Sequence, residues 1–204
     1  MLFQRLSVSF MILCVLLSWD CIVQAELLLI DRIAAVVGEE VITYRDVTVE
    51  LTLNLYDKDE ERALQDLINR KLLLMEAEKF KITETKEDIE KVQGRLEAVR
   101  KYLAGERYFD FLRGYSLTES DLLKKLTDQA IAEKFINFRI NFFIVISEDA
   151  IKEFYEKNKG EFGEKTFSEV HDQIKMRLFN LDSERRLKEY LYGLRKMAGI
   201  VINQ

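Results

Sequence analysis

The chain contains no proline among its 204 residues, whereas an average sequence of this length carries about ten. Proline lacks a backbone N–H and interrupts helices, so a chain without it can form long helices without breaks. Glycine is also scarce, at eight residues, which leaves little material for the tight turns of a β-rich fold. The sequence therefore predicts a mainly helical protein.

Composition excludes several classes of protein. Hydrophobic residues make up 48% of the chain and charged residues 33%, and the two kinds are interleaved along most of its length. This mixture is typical of a folded domain and argues against a disordered polymer or a polytopic membrane protein. The 31 Lys and Arg residues against 36 Asp and Glu give a net charge of -5. Because nucleic-acid binding needs a surface that neutralises phosphates, we expect no nucleic-acid partner.

The first 25 residues have the pattern of a secretion signal. Arg5 supplies a short basic start, residues 6–19 are mostly apolar, and Val23-Gln24-Ala25 has the small or modest residues of a cleavage site. We expect cleavage after Ala25 and secretion of the remaining chain.

Two other interpretations of this segment are weaker. An uncleaved anchor would need about 20 apolar residues, and the apolar stretch stops at Asp20. Lipid attachment at Cys21 would need small residues before the cysteine, where Trp19 and Asp20 stand. Both cysteines, Cys14 and Cys21, lie inside the segment, so the mature chain is expected to hold no disulfide and no thiolate-bound metal.

Short strands are predicted at both ends of the mature chain. Residues 30–37 form a β-branched and small apolar run, Gly38-Glu39-Glu40 can turn, and Val41-Ile42 can return as a second strand. Ile200-Val201-Ile202 has the pattern of one more strand. Because a lone strand needs a partner, we expect it to pair with Ile33–Val37 in one small sheet.

Helices are predicted between these strands. A typical start is a capping residue followed three positions later by an acidic residue, as in Thr43 and Asp46. The same kind of signal recurs around Asp57, Thr85, Thr118, Ser147 and Thr166. Residues 85–103 carry one narrow apolar stripe and are expected to form an arm packed on one side, whereas the stripe that ends at Phe80 indicates a core helix.

Aromatic side chains recur at helical spacing in two segments. Large apolar stripes are usually buried in a core, but aromatic side chains can also line a groove that binds unfolded polypeptides of many sequences. Both interpretations can hold together. The candidate peptide-binding residues are Tyr108, Phe109, Phe111, Tyr115, Phe135, Phe138 and Phe142.

Catalytic and cofactor signals are weak throughout the sequence. His171 and Ser168 are three residues apart on a predicted helix, but no oriented acid or oxyanion element accompanies them, so we expect a solvated helix face. Asp57, Asp59 and Glu61 alternate like a calcium loop but lack its central glycine and later glutamate, which favours helix capping. There is no glycine-rich phosphate loop and no zinc ligand set, so we expect no cofactor and no metal.

Three segments occur in a distinctive order along the chain. They are residues 30–43 (IDRIAAVVGEEVIT), residues 63–77 (ALQDLINRKLLLMEA) and residues 146–159 (ISEDAIKEFYEKNK). Together they resemble the SurA family of periplasmic chaperones, in which an N-terminal hairpin and helices pack with a C-terminal helix and strand. The resemblance implies a helical chaperone domain at residues 26–162, with a helix and strand at residues 163–204 completing the same core.

The family's parvulin prolyl-isomerase domain is missing from this sequence. The resemblance places that insertion between Phe162 and Phe167, where only Gly163-Glu164-Lys165-Thr166 stand. The parvulin site resembles a cluster of histidine with cysteine or aspartate, and this chain has one histidine, His171, and no cysteine after Cys21. We therefore expect a protein that is not an enzyme, and a degenerate isomerase is disfavoured.

The resemblance implies an ATP-independent periplasmic chaperone that binds unfolded outer-membrane or secreted polypeptides. Such a protein would be exported by a cleaved signal and would not insert stably into a membrane. The alternative is a non-catalytic interaction subunit that uses the same groove or strand for one dedicated folded partner in an envelope complex. A folded partner would bind with fixed stoichiometry, which distinguishes the two functions.

Overall fold

A computed structural model of the chain describes residues 31–54 and 59–203. The predicted signal at residues 1–25, with its cleavage site, lies outside the described residues, and so does Asp57. The fold that is described begins and ends in the same small sheet.

Three antiparallel strands form this sheet, in the order β2-β1-β3. They are β1 (Ile33–Val37), β2 (Glu40–Thr43) and β3 (Ile200–Ile202). Val36 of β1 lies opposite Val201 of β3, so the predicted pairing of the two chain ends is confirmed. Gly38 turns β1 into β2 at a φ of 61°, a conformation that favours glycine. Its N–H also donates to the carbonyl oxygen of Gly199 at 3.0 Å.

Helices make up most of the described chain between β2 and β3, so the predicted mainly helical fold with a small β element is confirmed. In chain order the helices are α1 (Tyr44–Asn54), α2 (Glu60–Lys79), α3 (Lys86–Leu103), α4 (Glu106–Gly114), α5 (Glu119–Arg139), a 3-10 turn (Asn141–Phe143), α6 (Glu148–Lys157), α7 (Lys159–Phe162) and α8 (Phe167–Met197).

Side-chain caps begin most of these helices. At the start of α3 the backbone N–H of Thr85 donates to the Asp88 carboxylate at 2.8 Å, and the Asp88 N–H donates back to the threonine hydroxyl. Each such exchange satisfies backbone groups that a helix end otherwise leaves without partners. Threonine and an acidic residue make the same backbone contact at Thr43, Thr118 and Thr166, while Ser147 and Asp59 accept from backbone N–H groups.

The helices α2 and α5 form the centre of the helical body. On one side Ile68 of α2 packs beneath the sheet. On the other side Leu73 of α2 meets Phe135 of α5. The helix α3 lies on α5 through Val92 and Leu96, its two fully buried apolar residues. The prediction of an arm packed on one side is therefore confirmed.

The last helix, α8, spans 31 residues and is therefore about 46 Å long. Near its start, Ile174 packs with Ile151 of α6 and Phe162 of α7. Near its end, Leu194 joins the cluster beneath the sheet. Only residues 163–166 connect α7 to α8, so the main chain passes directly from one helix to the next.

Candidate functional site

Three of the seven aromatic side chains predicted to bind peptide belong to the core. Tyr108, Phe111 and Phe135 are 3%, 8% and 0% exposed. The Tyr108 hydroxyl donates to the Glu119 carboxylate at 3.3 Å, and burial raises its pKa above the ordinary tyrosine value. Because burying a large ring stabilises the fold, these side chains turn inward, and their assignment to an open groove is corrected.

The other four predicted aromatic side chains reach the surface at two separate places. Phe109 on α4 is 60% exposed and Tyr115, which follows that helix, is half-buried. Phe138 and Phe142 are 51% and 79% exposed at the far end of α5. The α4 cluster contacts α5 at Leu122, and Phe138 lies about 24 Å further along that helix at 1.5 Å per residue. The structure therefore does not bring the predicted residues together in one groove.

A groove of about 550 Å³ lies between α3 and α8, and we call it the central groove. Its floor is formed by α2 and α5, and its walls by the two outer helices. Because α3 packs against α5 on one side only, the space between α3 and α8 stays open. Apolar residues that line the central groove are Leu73, Val99, Ala132, Ile136, Leu187 and Leu191.

The apolar surface continues along α8 beyond the central groove. A second recess of about 720 Å³ shares Leu187, Leu191 and Asn69 with the central groove. It adds the ring of Tyr192, which is 62% exposed. Together the two recesses offer a continuous path for an extended ligand along α8.

Polar groups border the central groove on both sides. Arg95 of α3 forms an ion pair with Glu133 of α5, with 2.8 Å between nitrogen and oxygen, and both side chains are partly exposed. On the opposite side Arg195 of α8 donates to the amide oxygen of Asn69 on α2 at 2.8 Å. A groove lined by apolar and polar side chains together can hold the side chains of a polypeptide and also hydrogen-bond to its backbone.

One ion pair at the base of the groove is buried. The Glu50 side chain of α1 is 2% exposed, and Arg70 of α2 donates to both of its carboxylate oxygens. The Nη1–Oε2 distance is 2.7 Å. A buried charge is tolerated only with a well-placed counter-charge. This pair therefore holds α1 against α2, which forms part of the floor of the central groove.

A second exposed feature, which we call the aromatic tip, lies where α5 ends. It consists of Phe138, Phe142, Phe143 and Val145. The Phe142 and Phe143 rings lie 5.3 Å apart, and the ring of Phe80 lies 5.8 Å from that of Phe138. The expectation that Phe80 lies in the core is wrong, since its side chain is 49% exposed. The helix α2 ends at Lys79, which leaves Phe80 at the edge of the helical body.

The only histidine in the sequence, His171, bridges α6 and α8. Its Nε2 lies 3.0 Å from a Glu148 carboxylate oxygen, and its Nδ1 lies 2.8 Å from an Asp172 oxygen. Hydrogen bonding to Asp172, and then to Glu148, raises the pKa of His171 above its ordinary value. The side chain is 26% exposed, so it does not simply face solvent as expected. Its partners make it a contact between two helices.

This contact predicts a dependence of stability on pH. The pKa of His171 is raised in the folded state, so its stabilising contribution is fully present below the unfolded pKa of about 6.5 and is lost as the pH rises through the folded pKa. We expect the difference in melting temperature between the unmodified protein and His171→Gln to shrink as the pH is raised from below 6.5 into the alkaline range. A difference that is constant over this range would show that the imidazolium contributes nothing.

Within residues 31–54 and 59–203, no group of three or more His, Cys, Asp or Glu side chains could hold a metal ion. No helix in this part of the chain is long and apolar enough to cross a membrane. No family model matches the chain, and no curated protein matches it.

Proposed function

We propose that the protein is an ATP-independent periplasmic chaperone that holds unfolded outer-membrane or secreted polypeptides in the central groove. The observation that carries this proposal is the groove itself, which is open and lined by both apolar and polar side chains. The resemblance of residues 30–43, 63–77 and 146–159 to the SurA family supports the same activity.

The groove suits the alternating pattern of a barrel strand. Strands of outer-membrane barrels alternate apolar and polar residues, and an extended chain directs successive side chains to opposite sides. The apolar side of such a segment can lie on Val99, Ile136 and Leu187, while its polar side remains in water near Arg95 and Glu133. Covering the apolar side prevents two unfolded barrels from associating through it.

Release of the bound polypeptide, which we call the client, requires no nucleotide. Ordering a flexible polypeptide costs conformational entropy, which offsets much of the free energy gained from apolar contact. We expect micromolar affinity, about -8 kcal/mol, so that a client dissociates spontaneously. The proposed activity is binding without catalysis, since only residues 163–166 stand where the resemblance places the isomerase domain.

Ala98→Arg is expected to weaken this protection. Ala98 lines the central groove on α3, and its side chain is exposed, so an arginine can extend across the groove without disturbing the core. We expect the unmodified protein to suppress aggregation of a denatured outer-membrane barrel without ATP, and the variant to need about tenfold more protein for the same protection. Light scattering at matched client concentrations measures both.

The matched control is Gln93→Arg. Gln93 is exposed on the same helix but does not line the groove, so the variant adds the same charge at a different place. It should protect the client as well as the unmodified protein does. If the unmodified protein leaves aggregation unaltered, the chaperone proposal is wrong. Binding of one folded envelope protein at fixed stoichiometry would then support the dedicated-partner alternative.

A further inference from the structure

The aromatic tip projects from the protein surface. Val145 is 87% exposed, Phe142 is 79% exposed and Phe143 is 57% exposed. Side chains this exposed lie on a convex surface, so they cannot surround a polypeptide as the lining of the central groove does. They can enter a fluid apolar environment such as lipid acyl chains. An exposed apolar patch of this kind marks an interaction surface.

Hydrogen bonds hold the tip in place. Asn141 donates from its side-chain amide to the Asn137 amide oxygen at 2.6 Å, and the hydroxyl of Ser183 on α8 donates to Asn141 at 2.6 Å. The backbone N–H of Phe143 donates to the carbonyl oxygen of Ile140 at 3.2 Å. Because the tip is already ordered, its binding to a surface costs little conformational entropy.

Two cations adjoin the aromatic tip, although the net charge of the whole chain is -5. Residues 134–147 contain no Asp or Glu and two cations, of which Lys134 is paired with Asp88 at 2.7 Å. The other cation, Arg139, adjoins Phe138, and Lys81 adjoins the Phe80 ring that contacts Phe138. No carboxylate among the described residues forms an ion pair with Arg139 or Lys81. The guanidinium of Arg139 lies over the Tyr190 ring, 5.7 Å from its centre, a contact that does not neutralise its charge. Because Arg139 and Lys81 are both exposed, both can meet an anionic partner.

We infer that the aromatic tip docks reversibly onto the surface of a bilayer that contains anionic lipids. The rings and Val145 would enter the boundary between headgroups and acyl chains, while Arg139 and Lys81 would meet lipid phosphates. A second copy of this chain is a poorer partner, because symmetric contact through the same tip would oppose its cations. This inference goes beyond the proposed chaperone function and does not depend on the central groove.

Trp19 is the only tryptophan in the sequence, so an introduced tryptophan allows a site-specific fluorescence test. In the mature chain from Glu26, which contains no tryptophan, Phe142→Trp places a single fluorophore at the tip. We expect its emission to shift to the blue with vesicles of phosphatidylglycerol and phosphatidylethanolamine, and far less with phosphatidylcholine vesicles. Adding Arg139→Gln should lower the apparent affinity for anionic vesicles about fivefold. Adding Phe143→Ser should lower it about tenfold.

Control variants separate this proposal from the other interpretations. Phe109→Trp places the fluorophore on α4 between Tyr108 and Asp110, away from the tip, and should not shift with any vesicle. Val145→Trp is a second reporter at the tip, should Phe142→Trp lose its helical circular-dichroism signal. Ala98→Arg should leave vesicle binding unchanged although it weakens the protection of clients.

Three outcomes would overturn the inference. The first is a tip reporter that does not respond to anionic vesicles. The second is an equal response from Phe109→Trp, which would show that the vesicles do not recognise the tip. The third is a reporter that shifts with an unfolded barrel, or with protein concentration alone, but not with vesicles. That result would assign the tip to clients or to a second copy.

Discussion

Deletion of residues 199–204 is expected to lower the melting temperature by about 6–12 °C, corresponding to a loss of about 3 kcal/mol. The deletion removes β3 and with it the backbone hydrogen bonds from Gly38 to Gly199 and from Asn203 to Ala34. It also uncovers β1, in which Ala35 is fully buried opposite Ile202. Thermal unfolding followed by circular dichroism measures the effect.

The matched control for this deletion is Val201→Thr. The Val201 side chain is 57% exposed, and threonine is β-branched as well, so the strand should form with little loss of stability. An unchanged melting curve after the deletion would contradict the role of β3 in joining the chain ends.

Arg70→Met is expected to destabilise the protein by about 3–5 kcal/mol, because it removes the bidentate counter-charge of a buried carboxylate. The Glu50 side chain that would lose this partner is 2% exposed, and the helices it joins lie beneath the central groove. Replacing both residues, as in Glu50→Leu with Arg70→Met, should restore much of the loss, since neither charge of this pair then remains. Urea unfolding at neutral pH gives the free energies of unfolding.

An exposed ion pair serves as the control for this prediction. Arg95→Met removes the pair with Glu133, whose side chain is 56% exposed, and should cost less than about 1 kcal/mol. If Arg70→Met costs no more than Arg95→Met, the buried pair does not hold α1 against α2 as the structure indicates.

Local signals in the sequence predicted the helix starts where a side chain makes the cap. Thr85, Thr118 and Thr166 each bond to an acidic residue three positions later, and a helix follows each of them. The two starts that were not predicted, at Glu106 and Lys159, follow residues that form no side-chain cap. A helix that begins without such a cap leaves little trace in the sequence, because tertiary packing rather than local bonding stabilises it.

The sequence singled out the aromatic residues as a group but did not show which of them are buried and which are exposed. Phe135 and Phe138 are three positions apart on α5, and helical spacing places both on one side of the helix. Phe135 is fully buried against Tyr190 of α8, whereas Phe138 reaches solvent where α5 ends. Spacing cannot tell these two apart, since the difference depends on where the neighbouring helices stop.

The sequence by itself determined the helical class and the capped helix starts, because these depend on composition and on short-range patterns. It also indicated the pairing of the chain ends, because a lone strand leaves backbone groups without partners. Only the tertiary structure decided which rings are buried and where a polypeptide could bind. The central groove joins Ala98 of α3 to Leu187 and Leu191 of α8, which are distant in the chain. The hydrophobic periodicity of α3 and α8 does not show the gap between them. The width of that gap depends on how far apart α2 and α5, which form the floor, hold the two outer helices.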